Sequence, residues 1–254
     1  MNVLIRRLAA RASYEMRRTK WSSKPSANRI HFLHIGKNAG TQIANICQQV
    51  NSASKERVIL KHGHDIYLKN IPKGEDYFFS IRNPISRFKS GFYSRKRKGQ
   101  PRIYSEWSEY DEVAFSEFEH ANDLAESLFQ TGDIGRRAWA AMKSIRHTAQ
   151  NQSDWFVCCG NFLRSRPPVW IIRQENFEDD MRDFLSLANL RLRDGAIDFS
   201  VDDATSHKND YTNTPQLSKK SEENLRAWYV QDLEFYAMCE NWIESGGSGN
   251  APRE

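Results

Sequence analysis

Residues 30–244 switch repeatedly between two hydrophobic periods. Four short, nearly continuous apolar runs read as buried strands: Ile30–Ile35, Arg57–Leu60, Tyr77–Ile81 and Val169–Arg173. Between them, apolar residues recur at helical spacing. Thr41–Val50 carries Ile43, Ile46, Cys47 and Val50, and the helix opening at Pro84 carries Ile85, Phe88 and Phe92. Asn176–Leu187 carries Phe177, Met181, Phe184 and Leu187, and a long helix over Ser218–Ile243 carries Leu225, Tyr229, Leu233 and Tyr236, with a break expected near Asp232. A short helix is predicted over Asp65–Asn70. From about 95 to 162 there is no strand signal; Val113–His120, Leu124–Phe129 and Ile134–Ile145 read as consecutive helices, hence a helical insertion over the sheet edge. Strands alternating with helices predict an α/β fold, a parallel sheet flanked by helices on both faces. In such sheets ligands bind beyond the carboxyl ends of the strands.

Charge divides the chain. The formal net charge is +5, but residues 1–29 hold eight Lys and Arg against the single acid Glu15, which leaves the rest near −2. The domain proper, 30–244, is therefore not globally basic, which disfavours nucleic acid as a partner. Residues 1–29 form a basic N-terminal appendage. Val3, Leu4 and Leu8 on one face of a short helix would suit a frayed terminus, a partner or peripheral membrane contact, or a transit peptide. Residues 245–254 begin with Gly246, Gly247 and Gly249 and read as a flexible tail. Cys47, Cys158, Cys159 and Cys239 lack metal-ligand spacing and are expected as reduced thiols. No run of 18 apolar residues exists, so no transmembrane segment is expected and a cytoplasmic setting is the simplest.

Three motifs follow predicted strands. Lys37-Asn38-Ala39-Gly40-Thr41 lies between the first strand and its helix, where backbone N–H groups, the helix N-terminus, the Lys37 charge and the Thr41 hydroxyl could hold a phosphate. The order is not Walker A, because the lysine precedes the glycine. An ordinary turn in which Gly40 supplies a positive φ would give the same pattern. Arg82-Asn83-Pro84 leaves the third strand, with Ser90 two helical turns later; no acid occurs from Tyr77 to Ser105, while eight Lys and Arg do. A guanidinium there suits a second phosphate. His62-Gly63-His64 follows the second strand and offers a general base near neutral pH.

Together these residues resemble the carbohydrate branch of the sulfotransferases that use 3′-phosphoadenosine 5′-phosphosulfate (PAPS). The matching stretches are Phe32-Leu33-His34-Ile35-Gly36-Lys37-Asn38-Ala39-Gly40-Thr41 and the Arg82, Pro84, Arg87, Ser90 run, with a weaker likeness over Leu225–Tyr236. Gly36, Asn38 and Ala39 depart from the usual Pro, Thr and Gly but keep the turn small and polar. The resemblance implies a P-loop-like sheet. Lys37, Asn38, Ala39, Gly40 and Thr41 would hold the 5′-phosphosulfate and Arg82 and Ser90 the 3′-phosphate, with 3′,5′-ADP as product and no metal required. His62-Gly63-His64 resembles the segment of uronosyl 2-O-sulfotransferases that supplies the base, with His64 preferred over His62 and the two sharing an orientation. His34 is expected as a packing residue and Glu175 as a reserve base or acceptor contact. Ser206-His207-Lys208-Asn209 would close over the nucleotide. Arg95–Lys98, Arg102, Tyr104 and Trp107 could grip an anionic carbohydrate or glycoconjugate acceptor, or form a solvated loop. Relatives in the Golgi lumen carry a membrane anchor, so that setting would need a longer chain. A nucleotide kinase lacks its Walker A order here, and a non-catalytic module for anionic polymers or nucleic acid is the main alternative.

Overall fold

The computed structural model describes residues 28–54, 57–101, 103–190, 197–199, 211 and 213–247. The sequence readings on 1–27, Arg102, 206–209 and 248–254 fall outside the described residues. Four strands form one sheet: β1 (Arg29–Leu33), β2 (Val58–Lys61), β3 (Asp76–Ile81) and β4 (Ile171–Arg173). The order is β2-β1-β3-β4 and every pairing is parallel. All four predicted strands are present. The expected first strand is shorter at its end, because the chain leaves the sheet after Leu33.

Nine α-helices lie among the described residues: α1 (Gly40–Ala53), α2 (Pro84–Lys96), α3 (Glu109–Glu117), α4 (Ala121–Ser127), α5 (Asp133–Ser144), α6 (Phe162–Ser165), α7 (Phe177–Leu187), α8 (Lys219–Trp228) and α9 (Val230–Glu244). The predicted short helix is a 3-10 turn at Leu68–Asn70, and a second 3-10 turn spans Gln152–Phe156. The last long helix divides at Tyr229, three residues before the expected position. No helix among the described residues is long and apolar enough to cross a membrane.

The apolar runs are continuous because both sheet faces are covered. Neighbouring strand residues point to opposite faces. Phe78 meets Phe184 of α7, with ring centroids 4.0 Å apart, while Phe79 meets Phe156 at 4.7 Å and lies near Phe235 of α9. α1 adds Ile43, Ile46, Cys47 and Val50 to this core. A second core joins Phe88 and Phe92 of α2, Phe115 of α3, Leu124 of α4, Met142 of α5 and Leu225 and Tyr229 around α8. Helices α3–α5 thus share an apolar interior with α2 and α8. Cys47, Cys158, Cys159 and Cys239 are all free thiols.

The strand order has a functional consequence. From β1 the chain turns through α1 to β2 on one side, while β3 pairs with β1 on the other. The carboxyl ends of β1 and β3 therefore flank a topological switch point, where open α/β sheets form their ligand crevice.

The packing predicts a sharp contrast between two aromatic truncations. Phe79→Ala removes a fully buried ring and should lower stability by about 3–5 kcal/mol. Tyr110→Ala, at a side chain 74% exposed, should change it by no more than about 0.5 kcal/mol. Urea unfolding of both variants measures the difference.

Candidate functional site

The loop after β1 is the strained part of the site. Lys37 and Ala39 take left-handed φ values of 71° and 56° although neither is glycine, and Ala39 is the residue that opens α1. Each such residue raises the energy by about 1–3 kcal/mol. The sequence expectation that Gly40 supplies the positive φ is corrected, since Gly40 is not among the left-handed residues. Its role is room: a Cβ there would lie 1.9 Å from His34 Nε2. Gly36 is tight in the same way, at 3.1 Å from His147 Nδ1.

What holds the strained loop is buried polar bonding. Asn38 is fully buried. Its Nδ2 donates to the Ser80 carbonyl and to Gln152 Oε1, both at 2.7 Å, and Ser80 Oγ donates to the Asn38 carbonyl at 2.6 Å. Arg87, 1% exposed, donates from Nε to the Gly36 carbonyl at 3.0 Å and from Nη1 to the Gln150 carbonyl at 2.6 Å, leaving Nη2 buried without a hydrogen-bond partner.

Arg82 leaves β3 directly toward this loop. Its Nε donates to Ser86 Oγ at 2.8 Å and its Nη1 to the Lys37 carbonyl at 3.4 Å. The hydroxyl brought to Arg82 is thus Ser86, one helical turn in. Ser90 is buried a turn further along α2, beside Gly91, whose position packs on His147. Asn83 caps α2 by accepting from Ile85 N–H at 3.0 Å, with Pro84 at the first helical position. Glu175, after β4, accepts the Asn83 N–H at 2.8 Å and the Tyr236 hydroxyl at 3.3 Å. Its carboxylate therefore anchors the Arg82 segment.

The field at Lys37 is wholly cationic. Burial and then the charges of Arg82, Arg97 and Arg87 push its ammonium down to about 8. Among the described residues it has no carboxylate partner.

The two histidines of His62-Gly63-His64 face opposite sides of β1, which corrects the expected shared orientation. His62 is 2% exposed and bonds through Nε2 to His31 Nδ1 at 2.8 Å, and His31 Nε2 meets Glu75 at 2.6 Å. This buried Glu75–His31–His62 chain lies beneath the sheet. His64 instead packs on His34, with centroids 4.1 Å apart, and its Nδ1 lies 2.9 Å from the His34 carbonyl. A carbonyl only accepts, so Nδ1 carries the proton and Nε2 presents its lone pair. Residues two apart share a face only in extended chain, and the turn at His64 ends it.

His147 is a site residue that sequence reasoning missed. It lies just after α5, edge-on to His64 with centroids 6.2 Å apart. Burial, then Lys37, Arg146, Arg87 and His64, push its imidazole down to about 2, and burial also lowers His64. Both rings are therefore neutral bases in a cationic setting. Only the basic run before it, Lys143 and Arg146, hinted at the location.

The last two helices reach the loops of the site. Tyr229 donates to the Thr148 carbonyl at 2.8 Å, Asp232 accepts the Gln152 N–H at 2.6 Å, and Tyr236 reaches Glu175. Three residues at helical spacing brace three loops of the site. The loop expected to grip an acceptor is largely committed elsewhere. Arg95 bonds Asp111 at 2.7 Å, Lys96 donates to the Glu119 carbonyl, and Glu106 takes Lys98 and Tyr104. Of the described residues of this loop, only Arg97 extends its charge toward Lys37. Among the described residues no group of three His, Cys, Asp or Glu is placed to hold a metal ion. A separate apolar cleft of about 480 Å³, lined by Leu128, Phe129 and Trp139, shares no residue with the site. No protein-family model matches the chain, and no curated protein matches it.

Two outcomes follow from this geometry. Gly40→Ala should lower the melting temperature although alanine favours helix by about 1 kcal/mol, because the new methyl displaces His34; a thermal melt decides the sign. For His147, the depressed native pKa means the unfolded chain binds more protons below about 6.5, so stability falls with falling pH by up to about 1.4 kcal/mol per unit. In urea unfolding from pH 7 to 5, the stability gap between wild type and His147→Gln should narrow accordingly.

Proposed function

We propose that the chain is a PAPS-dependent sulfotransferase acting on a carbohydrate or glycoconjugate hydroxyl. The observation that carries this reading is the meeting, at the switch point, of two cationic anchors from different strands with a histidine whose basic nitrogen is fixed. Lys37 follows β1, Arg82 follows β3 and reaches the Lys37 carbonyl, and His64 packs on His34 beside Gly36.

The donor set suits a nucleotide with two anionic ends. Left-handed Lys37 and Ala39 flank Asn38, a backbone pattern that would suit a P-loop-like cradle of N–H groups for an anion. Arg82 has one guanidinium nitrogen on Ser86, one on the Lys37 carbonyl, and Nη2 without a protein partner among the described residues. Lys37, Asn38, Ala39, Gly40 and Thr41 would hold the 5′-phosphosulfate and Arg82 the 3′-phosphate, with Ser86 orienting Arg82 and Ser90 lying behind it. PAPS supplies an activated sulfuryl group and leaves as 3′,5′-ADP.

The remaining work belongs to the protein. His64 Nε2 accepts the proton of the attacking hydroxyl. The His34 carbonyl, bonded to His64 Nδ1, stabilises the imidazolium that results. Lys37 places its charge where negative charge develops, and the loop amides hold position without reorganising. His62, buried against His31, supports the strand end instead of touching the acceptor.

The test combines binding and turnover. Calorimetric titration with 3′,5′-ADP should show micromolar binding that falls at least about tenfold in Arg82→Ala and in Lys37→Ala. Release of 3′,5′-ADP from PAPS in the presence of glycan acceptors should fall at least about 100-fold in His64→Ala, with binding retained, while His62→Ala should keep most turnover. Binding without turnover on any glycan would instead describe an anion-binding module, and normal turnover by Lys37→Ala would sink the assignment.

A further inference from the structure

Gln152 is fully buried and its side-chain amide uses every hydrogen-bonding position it has. Oε1 accepts from Asn38 Nδ2 at 2.7 Å and from the Arg82 backbone N–H at 2.9 Å. Nε2 donates to the Arg82 carbonyl at 2.8 Å and to the Asp232 carboxylate at 3.2 Å. One planar group thus grips the residue after Lys37 and both main-chain polar groups of Arg82. Bonds to a residue's own N–H and C=O fix its two peptide planes, and with them the direction of its side chain. Ser80 forms a second strut to the same loop through its carbonyl and Oγ. Asp232 fixes the assembly to α9 by accepting the Gln152 N–H as well.

A buried amide serving only the core would need satisfied partners and nothing more. The side chain of Gln152 has the two anion loops as partners, and beyond them only Asp232. Resting on the sulfotransferase reading, we propose that Gln152 is a positioning residue that sets the span between the two loops, and so makes the site select a nucleotide with anionic groups at the 3′ and 5′ positions. A nucleotide with its second phosphate at the 2′ position, or with none, presents the wrong span. Such selectivity depends on distance between anchors, not on the strength of either one.

The experiment is calorimetric titration of the full chain, at one ionic strength, with 3′,5′-ADP, 2′,5′-ADP and 5′-AMP. Wild type should prefer 3′,5′-ADP over 2′,5′-ADP by at least about tenfold. Gln152→Met keeps the volume and removes all four bonds; Gln152→Asn keeps the amide but withdraws it by one methylene. In both, affinity for 5′-AMP should stay within about threefold, and the preference should fall to about threefold or less. Ser80→Ala removes only the Oγ strut and should reduce the preference less, in the same direction; if the Gln152 variants do not fold, this variant decides. A uniform loss for all three nucleotides, or an unchanged preference, overturns the proposal. Failure of wild type to bind any of them overturns the sulfotransferase reading and this proposal together, an outcome distinct from failure in the variants alone.

Discussion

Like charges have to be held together here against their own repulsion. Lys37, Arg82, Arg87 and Arg97 act on one small volume, and burial deepens the effect. Two unit charges about 4 Å apart repel by roughly 4 kcal/mol near a protein surface. The fold meets this with backbone carbonyls instead of carboxylates. Gly36 and Gln150 take Arg87, Lys37 takes Arg82, and the acids keep a step back, Glu175 on the Asn83 amide and Asp232 beneath Gln152. Carbonyl oxygens fix the cations without neutralising them, so the field remains for a ligand. A direct carboxylate at Lys37 would remove it.

Strain and burial serve the same end. Asn38, between left-handed Lys37 and Ala39, is held by two bonds to Ser80 and one to Gln152. Gly40 lets His34 lie against the start of α1, and His34 in turn carries His64. The loop, the strand end and His64 are therefore one packed object. The Glu75–His31–His62 chain on the other side of β1 completes the separation: one histidine pair is sealed in the sheet, the other is presented at its edge.

How much was legible follows from the range of each interaction. β1 to β4 were readable because burial on both faces leaves an unbroken apolar run. Lys37 and Arg82 were placeable because Arg82 directly follows β3 and Lys37 sits in the short turn after β1, so sequence position puts both at the carboxyl edge. Gln152 and His147 were not. They lie past α5, where helical periodicity lapses within the insertion, and the partners of Gln152 are far along the chain: it meets Asn38 across 114 residues and Arg82 across 70. The His62/His64 pair misled for a local reason, since the chain stops being extended between them. Ser86 was overlooked beside Ser90 because a helix periodicity does not say which turn an arginine folds back onto.

α9 ties the site to the order in which the chain is made. Tyr229, Asp232 and Tyr236 come from the last helices among the described residues, yet they brace Thr148, Gln152 and Glu175. Domains form progressively as synthesis proceeds from the N-terminus. The strands and α1 can associate early, but their loops lack these braces until the closing stretch has emerged and docked. A nascent chain would thus carry the sheet before the loops at its carboxyl edge are braced.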